Sequence, residues 1–543
     1  FYFTKEVFDL LYPSYGDTYP TYNGSIGMTY EQGGSGRAGL AIKTGIGDTL
    51  TLKDRIAHHL TTGLSTVEIA SKNTDRLNQE FKKFYQNKNF KYKSYVLRGN
   101  PDKLEALGNL LKAHEIEYGR AGTGTAKGFD YTSGKTGTLK TSAKDMVVSI
   151  DQPKATLIKV LLEPHTKLSD SLTYDITAWS LPYAYGLEAI ASETLVNSEQ
   201  IAPGIKENKT YKDAYAYISD WGSMKDARFL SDLIKQKIKV RFAKQPFTVE
   251  GRKFERGSLI ITQGDNRNHK DFLPTLNQIV QKHNTVLTES GTGFVEKGKD
   301  LGSSYVPMIT DTKIAVLSGE PTSTLEFGEV WHFFEQQLDY PVTILDSNYF
   351  NGIDLSEYDV LILPNGRYSS FLDDKKLVEI KDFVRNGGKL IAMQGAIKGL
   401  IGKNRFGIKE KVIETDSLSL WHPYGETERE SIKNSISGAI FKAKVDVTHP
   451  LAYGYGNHYF TLKLGESAYE NLENGTVAYL EKGVVPFSGF AGSEAIKKIS
   501  NSLIFGVEDY GSGQVVYMVD NPLFRGFWEN GKLFFVNALF MVQ

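Results

Sequence analysis

The chain has no cysteine among its 543 residues. That single absence excludes disulfides, thiolate metal ligands and cysteine nucleophiles together. Charge of one sign is also missing: 63 basic residues stand against 64 acidic ones, for a formal net charge of -1. With no basic block there is no surface to track phosphates, so nucleic acid is not an expected partner. No apolar run approaches the roughly 20 residues of a membrane helix. The longest, KLFFVNALFMV near the C-terminus, is core-sized, and no membrane span is expected. The opening FYFTKEVFDLLYPSYG lacks the basic n-region and small-residue cleavage site of a secretory signal. A chain that begins with Phe reads as processed, or as cut from something longer.

What is present describes a globular protein. Apolar content is 40% and charged content 23%, both ordinary for soluble domains. The length calls for three or four domains of roughly 100–200 residues. Pattern and turn signals place the divisions at 1–90, 91–210, 211–310 and 311–543. In the first unit, SIGMTYE reads as a strand. TLKDRIAHHLTTGLSTVEIASKNTDRLNQEFKKFYQ reads as a long helix capped by Thr51 or Asp54. In the second, KSYVLRG is a strand and PDKLEALGNLLKAHEI a helix with Pro101 in its first turn. The polar stretch Gly119 to Asp145 is a loop or hairpin, and ATLIKVLLEP another strand. From Tyr211 onward strands alternate with helices, which predicts βαβ units and a mostly parallel sheet. The last unit is the clearest: KIAVLSGE, PVTILDS, YDVLILPNG and GGKLIAMQGA are strands set between helices. Such doubly wound domains place ligands beyond the carboxyl ends of their strands.

Several short patterns carry candidate chemistry. HEIE (His114, Glu117) and HFFE (His332, Glu335) have the spacing that sets two metal ligands on one helix face. No third ligand accompanies either, and His332 lies among core-forming aromatics. His58 and His59 are adjacent, so they point to different faces. EPHTKLSDSLTYDITAW brings Glu163, His165, Asp170 and Asp175 close in sequence. A carboxylate pair for glycoside cleavage can be drawn from it, but interdomain packing is the favoured reading. GTGTAKG and SGKTGT look phosphate-binding, yet the second lacks the first glycine and the strand of a P-loop.

The stretch YPSYGDTYPTYNGSIGMTYEQGGSGRAG resembles the last catalytic segment of the zinc metallocarboxypeptidases of the carboxypeptidase A-like family. In that family a mobile-loop tyrosine precedes, by about twenty residues, a strand reading aromatic–Thr–aromatic–Glu. Here Met28 replaces the first aromatic, and Glu31 follows Tyr12 by nineteen positions. The resemblance implies Glu31 as general base and acid, and Tyr12 closing over a peptide substrate. Tyr15 is the competing choice for substrate binding. Zinc is implied for the intact enzyme, with ligands upstream of this chain and none in it. The chain is then expected to be the C-terminal part of a secreted or periplasmic bacterial peptidase, inactive without its missing N-terminal catalytic segment.

From about Thr312 the chain resembles class I glutamine amidotransferase-like domains, on YDVLILPNG and GGKLIAMQGA. The elbow that holds the nucleophilic Cys in active members reads Met393-Gln394-Gly395-Ala396 here, so thiol amidase chemistry is excluded. His422, Tyr424, His449, Tyr453 and His458 are ligand candidates in this domain, with turns and packing as the favoured reading. Arg525 is expected to pair Asp520. The fold class expected overall is α/β: a C-terminal fragment of a carboxypeptidase-like α/β domain, then Rossmann-like or amidotransferase-like three-layer domains. Two alternatives remain. One is a non-catalytic ligand-binding or scaffold protein of amidotransferase-like modules. The other is an accessory portion of a glycoside hydrolase.

Overall fold

The computed structural model describes residues 10–32, 39–86, 89–168, 173, 176–200, 209–402, 406–412 and 423–543. The fold is mixed α/β, built on three main sheets.

The largest sheet has ten strands. Its path runs Thr343–Asp346, Ile314–Ser318, Val360–Leu363, Lys389–Met393, Gly513–Met518, Ser502–Tyr510, Thr476–Leu480, Ala439–Val445 and His458–Lys463, with Ser488–Gly489 paired to Ala439–Val445. The first five are parallel, and the rest pair antiparallel. Strand side chains alternate between faces. Ala315, Leu317, Leu361, Leu363, Leu390 and Ala392 therefore meet Ile380, Phe383 and Val384 of the helix Asp374–Arg385 on one side. Ile314, Val316, Val360, Ile362 and Ile391 share the opposite core with Val330, Phe333 and Phe334, and with the helix Glu529–Phe540, which is buried from Asn530 onward. Both faces are covered, which is why these strands read as unbroken apolar runs.

The other two sheets are antiparallel throughout. The seven-stranded one orders as Lys135–Thr141, Gly124–Asp130, Glu188–Ser192, Ser94–Arg98, Met146–Ser149, Gly119–Ala121 and Ser198–Gln200. The four-stranded one orders as Arg241–Phe242, Leu259–Thr262, Ala216–Ser219 and Thr288–Ser290. The mostly parallel sheet expected after Tyr211 is thus corrected for this region. An apolar run reports burial on both faces, not strand direction, and the small hairpin Phe247–Val249/Arg252–Phe254 helps bring the chain back antiparallel. ATLIKVLLEP is also corrected: Ala155–Leu162 is a helix with six of its eight residues buried. A run that apolar has no period to separate helix from strand.

Residues 10–23 pack onto this body. Tyr12 is 2% exposed, with its ring 5.8 Å from that of Trp179, and Lys154 Nζ donates to Asn23 Oδ1 at 3.1 Å. The helices Leu52–Lys72 and Thr74–Gln86 differ: neither contains a buried residue. The first is well capped, with Thr51 and Asp54 satisfying each other's backbone N–H groups, yet Ile56, Leu60, Leu64 and Val67 all lie exposed along it. Among the described residues, no helix is long and apolar enough to cross a membrane.

Candidate functional site

The parallel strands change order between Ile314–Ser318 and Val360–Leu363. The chain leaves the first strand for one neighbour, then returns on its other side. At such a switch point the two following loops diverge and leave a crevice. Here the loops are knitted at its base. Ser323 N donates to Asn365 O at 2.9 Å, and Arg367 N to Pro321 O at 2.9 Å. The next strand, Lys389–Met393, ends on Gln394, held at φ 46°, ψ −112°. That is a sharp strand-to-helix elbow, in a backbone region that costs a non-glycine residue about 1–3 kcal/mol. Gly395 follows and donates its N–H to Asn365 Oδ1 at 2.9 Å. A Cβ at 395 would lie 2.4 Å from Gly366 O and 2.7 Å from Asn365 Oδ1, so the approach of these two strand ends requires glycine.

The helix Thr324–His332 opens over this crevice and carries Glu326 and Glu329, three residues apart on adjoining faces. Asn521, from the segment after the strand Gly513–Met518, bridges them. Its Nδ2 donates to Glu326 Oε2 at 2.9 Å and also to Glu329 Oε2. Asn365 hydrogen-bonds Glu326, and the backbone N–H of Arg525 donates to Glu329 Oε1 at 2.8 Å. Desolvation raises both carboxyls. The charge on Glu326 adds to the effect on Glu329, which is pushed up to about 7. Two carboxyls this close disfavour ionising together. At the elbow, Gln394 Oε1 is a buried acceptor with no hydrogen-bond partner.

The rim is cationic and aromatic. Arg525 adopts φ 46° and lays its guanidinium 4.8 Å from the ring centre of Tyr12 and 5.5 Å from that of Tyr15. It also hydrogen-bonds both tyrosines. The structure therefore brings Tyr12 and Tyr15 to the edge of the C-terminal crevice. The expected Arg525–Asp520 pair is corrected. Asp520 accepts from Lys463 Nζ at 2.8 Å and from Thr461 Oγ1 at 2.7 Å, deep in the core. Direction decides this, since Lys463, at the end of the edge strand His458–Lys463, reaches inward, whereas Arg525, in the turn Phe524–Gly526, points to the tyrosines.

Sequence reading passed over Glu326, Glu329, Asn365 and Asn521. Asn365 and Asn521 lie just past strand ends of the clearest domain, whereas Glu326 and Glu329 lie on the helix after its first strand. Elsewhere the expected residues do not converge. Glu31 is exposed and Met28–Glu31 is not a strand; Thr29 instead donates to Asp17 Oδ2 at 2.6 Å, tying the segment back to a turn. His114 is the residue after the helix Pro101–Ala113 and bonds Tyr19 through Nδ1 at 2.8 Å, so it shares no helix face with Glu117. His332 and Glu335 are both exposed, and Glu335 accepts from Trp331 Nε1 at 3.3 Å. His58 bonds Gln32. His449 caps a local turn, Tyr453 donates to Lys244 O and His458 bonds Asn457, while Tyr424 is 93% exposed. His422, Asp170 and Asp175 lie outside the described residues. Among those described, no group of three or more His, Asp or Glu is arranged to hold a metal ion. An open groove of about 1800 Å³ runs between residues 21–30 and the helices Leu52–Lys72 and Thr74–Gln86, but its lining is chiefly apolar and small polar.

No protein-family model and no curated protein matches the chain. Solved structures do resemble it. A ThuA-like protein from Bacteroides uniformis is 13% identical, with 42% of this chain and 89% of that one covered at a TM-score of 0.26. A glutamine amidotransferase from Thermotoga maritima is 10% identical, covering 39% and 76% at 0.25. A beta-galactosidase from Bacillus circulans is 13% identical, covering 42% and 30% at 0.24. None of these is a metallocarboxypeptidase. The expectation of a zinc carboxypeptidase, with its peptidase activity, is corrected accordingly: the match at the opening segment was one of short motif, and Met28–Glu31 does not form the strand that the motif implies.

Proposed function

We propose that the chain is a non-catalytic ligand-binding module, and that its crevice takes a small, neutral, hydroxyl-rich molecule such as a short oligosaccharide. The observation that carries this reading is the Glu326–Glu329 pair, bridged by Asn521 at the switch point of the parallel sheet. The reasoning follows from charge and valence. Two carboxyls that resist ionising together carry less than two full negative charges, and Arg525 supplies one positive charge. A charged ligand upsets that balance, whereas a neutral one keeps it. Carboxyl and amide oxygens, among them the unpartnered Gln394 Oε1, accept hydrogen bonds. A hydroxyl both donates and accepts, so a row of hydroxyls meets this lining without stranding a polar atom. Phe327 and Trp331 stack at 6.4 Å on the same helix, with Trp331 45% exposed, and offer a flat apolar face of the kind a sugar ring covers.

No attacking group accompanies the carboxyls. The elbow residue is an amide, and both acids are tied to Asn521. Binding without turnover is therefore the fitting role. A thermal-shift screen with neutral di- to tetrasaccharides and blocked tripeptides tests it. At least one saccharide is expected to raise the melting temperature of the wild type but not of Asn521→Ala. Stabilisation by peptides alone would refute the reading.

A further inference from the structure

A second cavity lies far from the crevice in chain and sheet. It has a volume of about 160 Å³ and sits where the strand Ser94–Arg98 begins, against the end of the helix Ala155–Leu162. Phe90, Tyr92 and Tyr95 form its aromatic lining, with Phe90 and Tyr95 themselves buried. Charge of both signs enters it. Glu163 reaches in with only 19% of its side chain exposed, and Lys159 Nζ stands 3.7 Å from its Oε2. Lys91 Nζ lies 5.0 Å from the centre of the Tyr92 ring and holds Glu193 only loosely, at 3.9 Å.

We propose that this cavity binds a small zwitterion, a free α-amino acid, with the ammonium toward Glu163 and the carboxylate toward Lys91 and Lys159. The size suits it: at roughly 30 Å³ per water, the space holds about five waters, or a molecule of fewer than ten heavy atoms. Charge selects among such molecules. Two lysines repel a simple amine. Glu163 repels a simple carboxylate. A zwitterion meets both signs and adds no net charge. The tyrosine faces attract an ammonium and give an apolar side chain a wall to pack on. Burial pushes Glu163 up to about 7, and an ammonium within hydrogen-bond range favours its ionised form. His165 stands at the rim, exposed, with its ring 4.9 Å from that of Phe129.

Isothermal titration of the full chain with valine, isobutylamine and isovalerate separates the three charge types at one side-chain size, with glycine, alanine and leucine extending the series. One saturable site for an amino acid is expected, with the amine and the acid at least tenfold weaker. Glu163→Gln and Lys159→Met should each weaken it at least tenfold, while Asn521→Ala leaves it unchanged. Because both substitutions are partly exposed and keep side-chain volume, circular dichroism and melting should match wild type; if one fails to fold, the other carries the test. The proposal is overturned if no amino acid in the series binds, if isovalerate binds as tightly as valine, or if binding survives Glu163→Gln and is lost in Asn521→Ala.

Discussion

At the scale of single residues, burial and charge pairing set the behaviour of the crevice and its surroundings. Glu329 has an ordinary value of 4.5 and is pushed up to about 7 in the fold. A raised carboxyl stabilises the fold fully below its unfolded value, and that contribution is lost as pH rises through the folded one. Stability is therefore expected to fall between about pH 4.5 and 7, by roughly 2–3 kcal/mol from this group at 1.36 kcal/mol per unit. Glu329→Gln should remove most of that dependence and melt higher than wild type at pH 8, as denaturation curves at pH 5 and 8 would reveal. Asp520 is held by charge pairing. It and Lys463 are 5% and 1% exposed in their side chains, so removing one partner strands a buried charge. Asp520→Ala is expected to cost about 3–5 kcal/mol, measurable by urea unfolding. A loss under 1 kcal/mol would mean that the pair is solvated. None of these roles was legible beforehand: Asp520, Glu326 and Glu329 find their partners on other strands and loops, and one-dimensional spacing carries no such information.

At the scale of elements, local signals were read well where they are local. Pro101 does open the helix Pro101–Ala113, Thr51 does cap Leu52–Lys72, and the Gly119 to Asp145 stretch does contain a hairpin. The strands KIAVLSGE, YDVLILPNG and GGKLIAMQGA also stand where periodicity set them. What failed were elements without a period, Ala155–Leu162 above all, and strand direction after Tyr211. The elbow is an element-level constraint of its own. Gly395→Ala should force the strand ends apart, destabilising by about 1–3 kcal/mol and abolishing saccharide binding, with stability and titration measured on the same sample. Retained binding would show that the elbow does not shape the crevice. The clamp of Arg525 on Tyr12 and Tyr15 is a second constraint. Arg525→Ala is expected to speed hydrogen exchange across residues 10–23 while leaving the strand Lys389–Met393 protected. Equal exchange in both proteins would assign the docking of this segment to its other contacts, with Trp179, Lys154 and His114.

At the scale of the whole molecule, the body from residue 89 onward is well buried, whereas the helix Leu52–Lys72 displays Ile56, Leu60, Leu64 and Val67 to solvent. Side chains this exposed add little to fold stability, and a row of large apolar ones is a candidate surface for association. Changing Ile56, Leu60 and Leu64 to Glu should leave the melting temperature within about a degree, because none of them is packed, and should reduce self-association by light scattering. A large loss of stability would mean that the face is covered within the chain. The α/β class was legible throughout, from apolar strands alternating with helices. The reading of the opening segment was not secure, because a motif of two residues nineteen apart specifies no fold, whereas the fold itself brings Tyr12 and Tyr15 to Arg525 across the whole length of the chain. The claim that unites these scales is that the crevice at the parallel-strand ends binds a neutral hydroxyl-rich ligand through the Glu326–Glu329 pair and Asn521. Isothermal titration of wild type and Asn521→Ala with neutral di- to tetrasaccharides tests it most directly. Saturable one-site binding, weakened at least tenfold by the substitution, is the predicted result; no binding by any saccharide, or binding that Asn521→Ala leaves unchanged, would contradict it.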